Sequence, residues 1–173
     1  MGKRMACCQP AAMKTLPRVA LVFVSFFATR CLADDTLDFL LGDWEIFNAA
    51  GKQTATTKVE AAVPGVAITE VRRALDGREL KLWYFYSEAD KAWKSVFVGP
   101  NGATRELVTT EKMPDGSVRM LGRFPSAAGP AAQSRFSYYK LSDGSVRRHL
   151  ESSEDDGKTW KTIVDATYRK KIH

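Results

Sequence analysis

Chemistry is most concentrated in the segment Ile68-Thr-Glu-Val-Arg-Arg-Ala74, where an extended chain puts Glu70 and Arg72 on the same side as Ile68. A carboxylate and a guanidinium among apolar neighbours can fix a ligand headgroup through charge-assisted hydrogen bonds. A sheet with one wetted face would carry the same residues for solubility alone. Arg119 and Arg123, set around Leu121, pose the same alternative. Aromatic side chains are the second concentration. Leu80-Lys-Leu-Trp-Tyr-Phe-Tyr86 carries rings on both faces, with Tyr84 and Tyr86 on one and Trp83 and Phe85 on the other. The next such segment adds Trp93 and Phe97, and Arg135-Phe-Ser-Tyr-Tyr-Lys140 adds Phe136 and Tyr138. Rings with polar tips suit a cavity for an amphipathic molecule, and they suit a filled core equally well. The candidate ligand contacts are therefore Glu70, Arg72, Trp83, Tyr84, Tyr86, Trp93, Phe97, Arg119 and Tyr138.

Other chemistries have less to build on. There are two histidines, and His173 is terminal, so a histidine metal site or a Ser-His-Asp triad has to be assembled around His149. Strand alternation groups His149 with Arg147 and Glu151, as on a solvated face, which argues against a haem ligand. The acidic run Glu154-Asp-Asp156 lacks the alternating ligands and distant Glu of an EF-hand loop. No metal and no cofactor are expected.

The 173 residues carry a formal charge of +6, but five of the 26 Lys and Arg residues precede Asp34, leaving 21 against 20 acidic residues. A domain that close to neutral has no broad basic field for phosphates, so nucleic acid is not an expected partner. The basic leader also contains the apolar run Val19-Ala-Leu-Val-Phe-Val-Ser-Phe-Phe-Ala28, with small residues at Cys31 and Ala33. That is the layout of a secretory signal peptide over 1–33, and the run is too short for a stable membrane anchor. Met13-Lys-Thr-Leu-Pro-Arg18 makes a compact charged start by itself, so Met13 is an alternative initiation point. Arg30 stands where lipoprotein processing at Cys31 prefers a small residue. Cys7, Cys8 and Cys31 all precede Asp34, so a domain over 34–173 has no thiol chemistry and is held by its core alone. The expected location is the periplasm or the exterior.

The elements that position these residues are strands. Leu37, Leu40 and Leu41 give one helical turn, stopped by Gly42. Beyond it, Asp76-Gly77, Asn101-Gly102, Asp115-Gly116, Asp143-Gly144 and Asp156-Gly157 are signals for two-residue hairpin turns. Between the turns lie about ten segments rich in Val, Ile, Thr and aromatics, near 44–49, 53–62, 66–74, 79–86, 92–98, 104–111, 117–123, 134–141, 145–152 and 159–169. Pro125-Ser-Ala-Ala-Gly-Pro-Ala-Ala-Gln133 shows neither alternation nor charge and reads as a long loop. The fold class is all-β: an antiparallel up-and-down meander of about ten strands, which removes its edges by closing into a barrel.

Asp38-Phe39-Leu40-Leu41-Gly42-Asp43-Trp44 resembles the Gly-x-Trp opening of lipocalins and related calycin barrels. Glu151–Trp160 with Asp165-Ala-Thr-Tyr168-Arg169-Lys170 resembles the closing hairpin of small secreted bacterial lipocalin-like proteins of unknown function. The resemblance implies that Trp44 plugs one end of the barrel and that a late-strand arginine, here Arg169, packs across it. Ser153-x-Asp155-x-Gly157-x-Thr159-Trp160 also matches the Asp-box of sialidase propellers, a folding device expected here to stabilise one turn. The expected function is an exported barrel binding a small lipophilic or amphipathic molecule. The alternatives are a barrel enzyme of isomerase, cyclase or hydratase type using Glu70, Arg72 or a tyrosine, and a cell-envelope interaction protein with a filled barrel.

Overall fold

A computed structural model describes residues 35–126 and 129–172; the expected leader, Met13 and the three cysteines lie outside the described residues. A 3₁₀ helix over Asp35–Leu40 leads into ten strands: β1 (Gly42–Asn48), β2 (Gln53–Val63), β3 (Ala67–Ala74), β4 (Glu79–Ser87), β5 (Ala92–Val98), β6 (Thr104–Lys112), β7 (Val118–Ser126), β8 (Gly129–Lys140), β9 (Val146–Ser153) and β10 (Lys161–Lys170). Each pairs antiparallel with the next, and β10 closes on β1 with Trp44 opposite Lys170 and Ile46 opposite Tyr168. The expected meander and its closure are both present. Closure leaves no strand of the barrel wall without a neighbour. Burial then follows the period of two: Trp44 and Ile46 in β1, Ala55, Thr57 and Val59 in β2, and Ile68, Glu70 and Arg72 in β3 all point inward.

The hairpins turn differently from the expected two-residue form. Gly77 N–H donates to the Ala74 carbonyl, Ala74 and Arg78 close the loop, and only the glycine takes positive φ. This is a three-residue loop, a type I turn followed by a left-handed glycine, and it recurs at Gly102, Gly116 and Gly144. Asp76, Asn101, Asp115 and Asp143 each accept a backbone N–H two residues on, a bond that favours the turn locally.

One end of the barrel is closed from the N-terminal side. Leu37 and Leu40 of the 3₁₀ helix are buried, and Trp44 Nε1 donates to the Leu40 carbonyl at 2.7 Å, tying helix to strand. Trp44 plugs this end, edge-on to Tyr168. The cation crossing it is Lys170, not Arg169: Lys170 Nζ lies 3.9 Å from the centre of the Trp44 ring, while Arg169 lies over Phe47. Register decides this, because Lys170 faces Trp44 across the β1–β10 pair and Arg169 faces Glu45.

The stretch 125–133 is mostly strand rather than loop. Phe124 pairs with Ala132 and Ser126 with Gly129, whereas the β6–β7 register ends at Leu121 and the β8–β9 register at Gln133. Among the described residues, the tips of β7 and β8 are thus paired with each other and with no further strand. At their root, a Cβ on Gly122 would stand 2.4 Å from the Glu106 carbonyl oxygen and 2.7 Å from Leu107. Gly122→Ala is expected to cost about 1–3 kcal/mol, as overpacking does, read as a lower urea midpoint. An unchanged midpoint would show that β6 gives way freely there.

Candidate functional site

Glu70, 2% exposed, is the centre of an interior hydrogen-bond cluster drawn from five strands. Its Oε1 accepts from Arg72 Nε at 3.2 Å and from Arg72 Nη2 at 2.5 Å, with the Tyr168 hydroxyl at 3.4 Å and the Thr57 hydroxyl at 3.1 Å, which has one proton and lies equally close to the Val71 carbonyl. Oε2 accepts from the Tyr84 hydroxyl at 2.8 Å. Tyr84 has one proton to give, so in the 2.6 Å contact between the Tyr84 and Tyr138 hydroxyls it is Tyr138 that donates. That contact joins β4 to β8 across the lumen. Arg72 Nη2 also donates to the Tyr168 hydroxyl, whose own proton points to Glu70.

Burial alone would raise the Glu70 carboxyl. Arg72 and Arg148, with hydrogen bonds from Arg72 and Tyr84, outweigh it and hold the group below the ordinary glutamate range. Burial and the Glu70 charge push Tyr84 well up; burial and Tyr168 raise Tyr138; Tyr168, raised by burial against the pull of Arg72, stands at about 12. The hydroxyls are therefore protonated donors at neutral pH, arranged around a fixed anion. Because the folded Glu70 titrates below the unfolded side chain, its contribution is complete above the ordinary value of 4.5 and drains away as pH falls through the lower folded value. Glu70→Gln is expected to remove that part of the acid slope, seen as a smaller loss of Tm below about pH 4.5 than in the wild type. Parallel curves would mean that Glu70 does not titrate on unfolding.

Arg148 shares this interior without joining the bonds. It is nine-tenths buried, its Nε has no hydrogen-bond partner, and its guanidinium carbon lies 4.3 Å over the centre of the Phe136 ring. Among the described residues no carboxylate forms an ion pair with it, and the buried charged groups are Glu70, Arg72 and Arg148. Two cations thus share one buried anion.

Of the residues singled out from the sequence, Glu70, Arg72, Tyr84 and Tyr138 meet in the cluster, and Trp93 is buried on the same inner wall. Tyr86 and Phe97, half-buried, pack against the core towards opposite ends. Trp83 and Arg119 are elsewhere. Trp83 is 39% exposed, and Arg119 lies on the outer wall with its Nε 3.4 Å from Ser137 Oγ. They are separated from the interior because Leu82 and Tyr84 take the inward positions of β4, and Val118 and Met120 those of β7. Arg123 is likewise outside, paired with Asp156 at 3.1 Å. Thr57, Arg148 and Tyr168 were not among the candidate site residues, Tyr168 being named only in the closing hairpin, although Arg148 alternates with Val146 and Leu150, and Tyr168 with Val164 and Ala166.

His149 is on the outer face, 3.1 Å from Thr162 Oγ1 and 3.6 Å from Glu151. The Asp-box is a turn device: Asp155 accepts from Thr159 Oγ1 at 2.6 Å, Thr159 N at 2.8 Å and Ser153 Oγ at 2.8 Å, bonds that bring its carboxyl down to about 2. Trp160 Nε1 donates to the Gly157 carbonyl, and Arg135 stacks on the Trp160 ring at 4.2 Å. A groove of about 300 Å³ runs along β1 to β3; of its three cations, Lys58 and Arg73 are paired with Glu60 and Glu79, and the third is Lys171 near the chain's end. The interior cluster is thus where buried charge, aromatic rings and hydroxyls converge. Searches with protein-family models and against curated proteins return no match to the chain, so the functional reading rests on this geometry.

Proposed function

We propose that the chain is an exported lipocalin-like barrel that binds a small amphipathic molecule in its interior. The observation that carries this reading is the polar cluster of Glu70, Arg72, Tyr84, Tyr138 and Tyr168, built inside a barrel whose other interior residues are mostly apolar and aromatic, with Arg148 and Ser95 among them. A barrel that needed only a core would spare itself the desolvation of three charges. At the end away from the 3₁₀ helix the half-buried Leu80, Phe97 and Val164 offer apolar surface to a hydrocarbon or ring system, beside Arg105 over the Phe97 ring and Ser152, while the cluster suits a polar head. The plug formed by Trp44 and the 3₁₀ helix supports the likeness to lipocalins. The basic and apolar leader supports export to the periplasm or beyond, and the near-neutral remainder supports a small molecule over nucleic acid.

Binding is better supported than catalysis. Both oxygens of Glu70 are engaged, its carboxyl is held ionised, and the tyrosines are held protonated, so no group in the cluster is poised near neutral pH as a general base. The test is native mass spectrometry of the protein purified from its own host, followed by denaturing extraction. A reproducible small amphipathic adduct, released on denaturation, is expected. A clean mass that persists after incubation with host lipid extract would overturn the reading in favour of a filled barrel acting through its surface.

A further inference from the structure

We propose that Arg148 receives the anionic headgroup of the bound molecule, a carboxylate or a phosphate monoester. This rests on the reading of the interior as a binding site and adds the charge of the ligand. The interior carries an unbalanced cation: Glu70 is committed to Arg72 through two donors and to three hydroxyls, while Arg148 forms no ion pair among the described residues. A guanidinium taken out of water without an anion is costly, and an oxyanion accepting two of its N–H groups offsets that cost. Stacking on Phe136 holds the guanidinium plane, which leaves its donor edge, including the unpartnered Nε, for an acceptor. Its cross-strand neighbours are Tyr138 on β8 and the small Ala166 on β10, so the room for a headgroup beside Arg148 is on the β10 side. Glu70 repels an oxyanion, and Arg72 screens it at 2.5 Å, which confines the favourable position to the Arg148 side of the cluster.

The experiment uses the full chain loaded with the fluorescent neutral probe N-phenyl-1-naphthylamine, displaced by dodecanoate, dodecyl phosphate and dodecan-1-ol, which share one tail. An anion is expected to displace the probe at about 10- to 100-fold lower concentration than the alcohol, the range of a charge-assisted bond. Which of the two anions shows the preference assigns the source. In Arg148→Met the anion is expected to fall to within about threefold of the alcohol, with the alcohol unchanged. The comparison within the wild type needs no variant, so a poorly folded variant does not spare the proposal. Equal displacement by anions and alcohol in the wild type, or a preference that survives in a folded Arg148→Met, would overturn it while leaving the barrel a binder of neutral tails. Failure of both probe and alcohol to bind would overturn the binding reading itself.

Discussion

Replacing Glu70 by alanine is expected to lower folding stability by about 3–5 kcal/mol, the cost of breaking a buried ion pair from one side. Arg72 would lose the oxygen that accepts from its Nε and Nη2, Thr57 and Tyr84 would lose an acceptor, and two buried guanidiniums would face no carboxylate at all. Urea unfolding at neutral pH measures the loss as a lower midpoint at unchanged slope. Glu70→Gln keeps the size and part of the hydrogen bonding, so its loss is expected to be smaller than that of alanine. The paired replacement Glu70→Leu with Arg72→Met is expected to recover much of the loss, because both charges then leave together. A fall of less than about 1 kcal/mol in Glu70→Ala would show that water reaches the cluster and that it does not hold the five strands together.

Arg148→Met is expected to move stability in the opposite direction, by about 1–4 kcal/mol upward in the ligand-free protein. The substitution removes a buried cation with an unsatisfied Nε and keeps an unbranched chain of similar length against Phe136 and beside Tyr138. Thermal and urea unfolding of the two proteins side by side give the sign directly. A gain in stability together with a loss of anion binding is the signature of a residue kept for its ligand at the expense of the fold. A loss of more than about 1 kcal/mol would mark Arg148 as a structural cation that steadies Glu70 from a distance. The two substitutions are electrostatically linked, since Arg148 helps to hold the Glu70 carboxyl down. Their combined effect is therefore expected to depart from additivity, with Arg148→Met relieving part of the cost of Glu70→Ala.

Local chemistry made the wall of this barrel legible. Strand residues repeat every second position and the Asp-Gly and Asn-Gly signals mark reversals, so ten strands, their order and most of their limits could be read without knowing what they touch. The same period exposed Glu70 and Arg72 beside Ile68, because a charge on an apolar face is visible within one strand. It failed where both faces look alike. In Leu80–Tyr86 rings occur on either side, and only closure chose Leu82 and Tyr84 for the inside and left Trp83 outside. Around Arg119 the choice of Val118 and Met120 was made the same way. The β7–β8 tips escaped because the sequence there shows no apolar alternation, although the two strands pair.

The site itself belongs to tertiary structure. Tyr84 is 54 residues from Tyr138, and Glu70 is 98 from Tyr168, yet closure of β10 on β1 turns all of them to one lumen. Whether Lys170 or Arg169 covers Trp44 was settled by a register of one residue, and a one-residue slip exchanges inner and outer faces. The balance of buried charge is likewise invisible along the chain. Arg148 stands between Arg147 and His149 in sequence, and only the folded barrel sends those two to the outer face and leaves Arg148 inside with no anion of its own. Sequence determines which residues can face inward, since that is a local property of an extended chain; which charges meet there, and which is left over, depends on the closure that brings distant strands together.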